Sequence, residues 1–187
     1  MRKIVAGLFI SLDGVVQGPG PEDEFPLAGW TMPYWDDGIG EFIGGSAMSS
    51  DALLLGRVTY QGFAAAFGPS TSGDPMAGWM NSVRKHVVST TLHEATWNNS
   101  TLIQGHVVEA VAALKQQPGQ AIGMSGSGTL VQTLLEHNLV DELNLLVYPV
   151  VLGQGKRLFK DGSKLALQLM ETRTFKTGVV LLSYRPA

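Results

Sequence analysis

A glycine-serine stretch, Ile122-Gly123-Met124-Ser125-Gly126-Ser127-Gly128-Thr129-Leu130, constrains the fold of this chain more than any other segment. The apolar pair Ala121-Ile122 leads into it and the amphipathic run Leu130 to Glu136 follows. That order reads as a strand, a tight turn and the first turn of a helix. Glycines allow positive φ and close approach of a ligand, and a helix N-terminus offers unpaired N–H groups with partial positive charge. The natural guest is a phosphate, and the hydroxyls of Ser125, Ser127 and Thr129 extend the donors toward a dinucleotide pyrophosphate. The plain alternative is a strand-to-helix connection capped by Ser127 or Thr129. Standard signatures do not separate the two. The dinucleotide fingerprint needs glycine where Val131 stands, no Lys-Ser/Thr pair follows for a phosphate loop, and a nucleophile elbow would need glycine at Ser127.

The 187 residues suit one domain, 1–187, with room for a substantial core. Charged residues are only 16% and the net charge is −3, so no basic field for nucleic acid exists. The absence of cysteine excludes disulfides, thiol catalysis and cysteine-ligated metals. No apolar run reaches membrane-spanning length, because Asn144 and Tyr148-Pro149 interrupt the longest. The N-terminus enters a strand directly, without a secretory signal, and a cytoplasmic location is expected.

Lys3 to Ser11 reads as a strand ended by the turn pair Asp13-Gly14. Val15 to Met32, with Glu22-Asp23-Glu24, reads as an exposed loop. Helical spacing runs from about Asp36 to Met48, weakened by Gly38, Gly40, Gly44 and Gly45. Asp51 to Leu55 is a buried strand, Arg57 to Phe67 a helix, and Gly68 to Gly78 a further loop. Lys85 to Ser89 is a strand, Val107 to Gln116 a helix, and the helix after the glycine-serine turn ends near Asn138. Asp141 to Leu152 reads as a long strand in which Pro149 marks a bulge or an edge. Leu165 to Thr174 and Val179 to Tyr184 form a closing hairpin. Strands alternate with helices and then dominate, which predicts an α/β sheet, parallel at first, with an antiparallel edge.

Two further segments turn the glycine-serine loop into a site. In Leu53-Leu54-Leu55-Gly56-Arg57-Val58-Thr59-Tyr60, a strand enters a helix through glycine with Arg57 and Thr59 on the first turn. An arginine there offers charge-assisted, bidentate contacts to phosphate. Val87-Val88-Ser89-Thr90-Thr91 ends a strand in three hydroxyls. Ligands of open α/β sheets gather at the carboxyl ends of strands, where all three segments lie, so one dinucleotide can span them.

With these segments in place, the chain resembles the dihydrofolate-reductase-like family that includes the C-terminal domain of the bacterial riboflavin-biosynthesis deaminase/reductase. The matching residues are Ser11-Leu12-Asp13-Gly14, Leu55 to Tyr60, the turn Gly123 to Leu130, and Pro149 to Phe159. The resemblance implies a three-layer dihydrofolate-reductase-like fold that binds NADPH and reduces a small heterocyclic or conjugated substrate. It implies phosphate contacts at Gly56, Arg57 and Thr59, hydroxyls beside the 2′-phosphate at Ser89 and Thr90, and a pyrophosphate turn at Gly123, Ser125, Gly126, Ser127, Gly128, Thr129 and Leu130. Leu12, Asp13 and Gly14 would flank the nicotinamide. The family's dihydrofolate reductases carry a carboxylate on the first helix, and counting back from Gly56 lands on Gly40-Glu41, so Glu41 is the nearest counterpart. Riboflavin-pathway reductases continue Ser-Leu-Asp-Gly with polar and basic residues, whereas Val15-Val16-Gln17-Gly18 follows here.

Asp13 and Glu41 are therefore the catalytic candidates, and Trp35 and Phe42, with Trp30 and Tyr34 nearby, the candidates for walling a flat-ring pocket. The four histidines lack metal-ligand spacing, so no metal is expected. Asp36-Asp37 and Asp141-Glu142 read as solvated starts of a helix and a strand. The expected partners are a small-molecule substrate and a second copy of the chain, paired through Leu143 to Leu152 and the closing hairpin. Alternatives are a non-catalytic nucleotide-binding module and a true pterin reductase.

Overall fold

A computed structural model describes residues 1–21, 23–68 and 73–187. Glu22 of the acidic stretch and residues 69–72 of the Gly68 to Gly78 loop lie outside the described residues. The glycine-serine turn and its neighbours hang from one sheet whose middle strand is the first. β1 (Ile4–Ser11) pairs in parallel with β5 (Ala121–Met124) on one side and β6 (Glu142–Tyr148) on the other. Beyond β5 lie β2 (Ser50–Gly56), β3 (Arg84–Val88) and β4 (Ser100–Ile103), all parallel. Beyond β6 lie β8 (Val180–Pro186) and the outer strand β7 (Leu167–Thr174), both antiparallel to their neighbours. The order is β4-β3-β2-β5-β1-β6-β8-β7, a mostly parallel sheet with an antiparallel C-terminal edge.

Alternation along β1 divides the core between two faces. Ile4, Ala6, Leu8 and Ile10 face α4 (Val107–Gln116) and α5 (Gly128–Glu136), packing with Val111, Val131 and Leu134. On the opposite face, α1 (Asp37–Met48) lays Ile39 over Leu146, Tyr148 and Leu181. There α2 (Arg57–Phe67) and α3 (Pro75–Ser82) cover Leu53 and Leu55 with Tyr60 and Met80. Helices on both faces of the sheet make three layers.

Several expectations change. The strand at Glu142 ends at Tyr148, between β1 and β8 and away from any edge; Pro149 lacks the N–H needed to continue the ladder. Helix α3 begins inside the expected Gly68 to Gly78 loop, because Asp74 caps the amide of Met76 and Pro75 occupies the first turn. Edge strand β4 had no counterpart in the sequence reading. The Val15 to Met32 loop is folded down: Val15, Phe25, Trp30 and Thr31 are buried, and Trp30 Nε1 donates to Gln17 O at 2.8 Å. Asp141 is tied inward, accepting from the Ile4 amide at 2.7 Å and from the buried Lys115 Nζ at 2.5 Å. Asp36 does start a helix, accepting from Ile39 N at 2.9 Å.

Candidate functional site

The turn after β5 and the turn after β2 meet through glycine. Gly56 N donates to Gly126 O at 3.2 Å. A Cβ on Gly56 would stand 2.7 Å from Ser127 Oγ and 3.1 Å from Ser127 N. A Cβ on Gly126, whose φ is +135°, would stand 2.7 Å from Thr59 Oγ1. The Gly126–Ser127 peptide is cis. Only hydrogen at both positions lets the two helix entrances touch.

Of the two possible caps, Ser127 is the one used: its Oγ accepts from Leu130 N at 3.3 Å. Thr129 and Ser125 stay exposed, and neither hydroxyl has a hydrogen-bond partner among the described residues. Helix α2 has no side-chain cap at Gly56, so its first amides stay open toward the same space as those of α5. A cavity of about 230 Å³ lies there, lined by Gly56, Arg57, Val88, Val107, Ser127, Thr129, Leu130 and Thr133. Arg57 is exposed beside it, its guanidinium donating to Gln61 Oε1 at 3.0 Å. Two positive helix ends, an arginine and hydroxyls around one cavity have the chemistry that suits an anion.

The remaining predicted residues fall into three groups. Gly123 is inside β5, not in the turn; its Cβ would press on Leu53 Cδ2 and Ser50 Oγ, both at 3.2 Å. Ser89 is buried, and its Oγ accepts from Thr91 N at 3.1 Å and Leu92 N at 3.0 Å. It shapes the turn, leaving Thr90 and Thr91 as the exposed hydroxyls of that strand end. Glu41 is exposed on α1 with no hydrogen-bond partner among the described residues, because that helix turns Ile39 toward the sheet instead. Trp35 is half-exposed and lies against Gly40, while Phe42 packs into the cluster around Tyr148.

Asp13 is the largest departure. Its carboxylate accepts from Ser11 Oγ at 2.7 Å, Leu152 N at 3.1 Å and Gly153 N at 2.8 Å. Arg157 Nε donates to its carbonyl at 2.9 Å, and the guanidinium stands 3.9 Å from the carboxylate. The Ser11 hydroxyl first, then the Leu152 amide, holds the acid down at about 2. A group ionised so firmly, with both oxygens occupied, clamps the loops after β1 and β6 and does not suit proton delivery near neutral pH. Leu12 and Gly14 sit on this clamp: Leu12 is exposed and its amide donates to Val150 O, and Gly14 takes φ +85°.

Gly7, Asn144 and Tyr148 were not among the site candidates, although Asn144 and Tyr148 stood out as interruptions of an apolar run. Tyr148 is fully buried, its hydroxyl unpartnered among the described residues and its ring met edge-on by Phe9, Trp30 and Tyr34. Burial, then the nearby Asp36, pushes its phenol up to about 12. The usable signal was a glycine and an asparagine interrupting otherwise apolar strands. Among the described residues, no group of three or more His, Asp or Glu is placed to hold a metal ion, and no helix is long and apolar enough to cross a membrane.

This fold and cradle define a class. The model of the RibD C-terminal domain matches residues 2–181, and the chain belongs to that family. The uncharacterized protein YyaP of Bacillus subtilis (strain 168) is 32% identical over 187 residues, 98% of this chain and 94% of that protein. Among solved structures, a pyrimidine reductase-like protein from Corynebacterium diphtheriae superimposes with a TM-score of 0.71 at 12% identity, covering 100% of this chain and 92% of that one. Dihydrofolate reductase from Enterococcus faecalis, complexed with NADP(H), gives 0.63 at 14% identity, covering 98% and 96%. The fold is dihydrofolate-reductase-like.

Proposed function

We propose that the protein is an NADPH-dependent reductase of a small heterocyclic or conjugated substrate. One observation carries the reading: two helix N-termini, locked together through Gly56 and Gly126, open with Arg57 onto one cavity. The family assignment and the NADP(H) bound to the enterococcal reductase support it. Bound NADPH would supply a hydride from its nicotinamide. The open amides of α2 and α5, with Thr59, Ser125 and Thr129, hold phosphates; Arg57 and Thr90 meet the 2′-phosphate end. The clamped Leu12-Asp13-Gly14 loop flanks the ring and fixes its distance from substrate. With Asp13 locked and Glu41 in solvent, the proton comes from water. The same two facts favour a second reading, a nucleotide-binding module without turnover on the same fold. Oxidation of NADPH across a panel of pterins, flavins and aminopyrimidines separates them. A true pterin reductase adds the expectation of turnover with dihydrofolate and inhibition by antifolates.

Titration with NADPH is expected to raise the melting temperature and change the dinucleotide's fluorescence. Arg57→Ala is expected to weaken NADPH roughly 10- to 100-fold, the worth of a charge-assisted contact, while NADH changes by less than about 2-fold. Equal losses for both cofactors would take Arg57 out of the 2′-phosphate site, and no binding of either would end the reductase reading.

We also propose a homodimer. β7 is exposed along nearly its whole length, with Leu169 and Met170 about half-exposed at a bulge in an outer strand. A dimeric mass by light scattering is expected, and a monomeric mass at all concentrations would refute it.

A further inference from the structure

Between β3 and β4 the chain runs without regular structure from Ser89 to Asn99, and a buried cluster holds the far end of that loop. Trp97 is 8% exposed and is gripped at three points. Its amide donates to the hydroxyl of Tyr60 at 2.8 Å. Its Nε1 donates to Asn81 Oδ1 on α3 at 2.7 Å. The Nζ of Lys85 lies 4.3 Å from the centre of its ring.

Lys85 is the unexpected member. It is fully buried on β3 with Leu53 as its register neighbour, and no carboxylate pairs with it among the described residues. Lysine is almost never buried so completely without an ionic partner. Desolvation pulls its ammonium below the ordinary 10.5 to about 8, so it is still charged at neutral pH. Nζ donates to Val83 O at the start of the strand and to Asn98 O in the loop, both at 2.8 Å. An apolar residue of the same length would avoid the cost of desolvating a charge. What the ammonium adds is a hold on the loop.

Tyr60 ties that hold to the cofactor cavity. It is buried on α2, three residues after Arg57 and one after Thr59. Thr59 stands against Gly126, so this turn of α2 belongs to the cradle. The near end of the loop carries Thr90 and Thr91, exposed in the turn that Ser89 shapes, and Gln104 Nε2 donates to Leu92 O at 2.7 Å. Among the described residues, the bond from Trp97 N to the Tyr60 hydroxyl is what joins the helix with Arg57 to the loop with Thr90.

We infer that Tyr60 and Lys85, acting through Trp97, are positioning residues that set the gap between Arg57 and Thr90, and with it the preference for NADPH over NADH. The inference rests on the reductase reading, in which Arg57 and Thr90 meet the 2′-phosphate. NADH has no group to fill that gap, so its affinity is indifferent to where the loop sits.

The test is titration of the whole protein with NADPH and with NADH, followed by fluorescence. Tyr60→Phe keeps the ring and removes only the acceptor. It is expected to bind NADPH about tenfold more weakly, the worth of a hydrogen bond to a charged group, while NADH changes by less than about twofold. Lys85→Met is expected to reduce the same preference. An apolar residue in place of a buried charge is often neutral for the fold, so this variant carries the test should Tyr60→Phe fail to fold. Hydrogen exchange without cofactor is expected to speed up over residues 90–98 in each variant and to stay unchanged over α5. A parent with no preference, equal losses for both cofactors, or a preference intact in a folded variant would overturn the assignment. A parent that binds neither cofactor ends the reductase reading and this inference with it. A preference for NADPH that is the same in parent and variants ends this inference alone.

Discussion

Gly56→Val is expected to weaken NADPH by about 100-fold while leaving the fold in place. Gly56 has φ −77° and ψ 160°, a backbone conformation open to any residue, so the substitution strains no dihedral. The whole effect is steric. The first carbon of the new side chain arrives 2.7 Å from Ser127 Oγ, 3.0 Å from Ser127 Cβ and 3.1 Å from Ser127 N. A rotamer change moves the hydroxyl but not the backbone nitrogen, so the turn itself must shift. Ser127 is the cap of α5, and displacing it opens the helix end that faces the cavity. Overpacking costs about 1–3 kcal/mol and a lost cap about 1 kcal/mol, which together approach the energy of two decades in affinity. Fluorescence titration measures the affinity, and circular dichroism checks the fold. An unchanged dissociation constant in a folded variant would detach this cradle from the cofactor. Gly126→Ala reaches the same place by another route, because φ +135° adds backbone strain to a 2.7 Å contact with Thr59 Oγ1.

That cradle was legible in the sequence because its chemistry is local. Glycine between an apolar strand and an amphipathic helix needs no distant partner to be recognised, and the Arg57–Phe67 and Val107–Gln116 helices were read to their end residues. What the sequence hid depends on contacts across the chain. Asp13 reads as half of an Asp-Gly turn, and nothing beside it announces Leu152 and Gly153, which lie 139 and 140 residues away. Counting back from Gly56 lands on Glu41 within α1, yet helical phase sends Glu41 into solvent and Ile39 to the sheet. The Gly- and Pro-rich Val15 to Met32 segment gave no sign by composition that Phe25 and Trp30 would be buried beneath it. β4, only four residues long, is too short for alternation to stand out.

Asp13→Ala is expected to lower stability by about 2–3 kcal/mol at pH 7, since it removes hydrogen bonds to a charged group that join two loops. For a chain of this size that corresponds to a melting point lower by roughly 5–10 °C. The pH dependence separates a clamp from a mere surface acid. The native carboxyl lies at about 2, below its ordinary 3.8. A depressed acid contributes stability fully above the unfolded value and loses it as pH falls through the native one. The Asp13 contribution is therefore complete above about pH 5 and fades between about pH 4 and 2. Denaturant melts of the parent and of Asp13→Asn, which keeps the shape and removes the charge, should differ at pH 7 and converge as pH approaches 2. No gap at any pH would mean that shape and not charge holds the loops together. A gap that widens in acid would mean the carboxyl is raised, as a proton donor requires, and would return Asp13 to the catalytic role that its place after the first strand suggests.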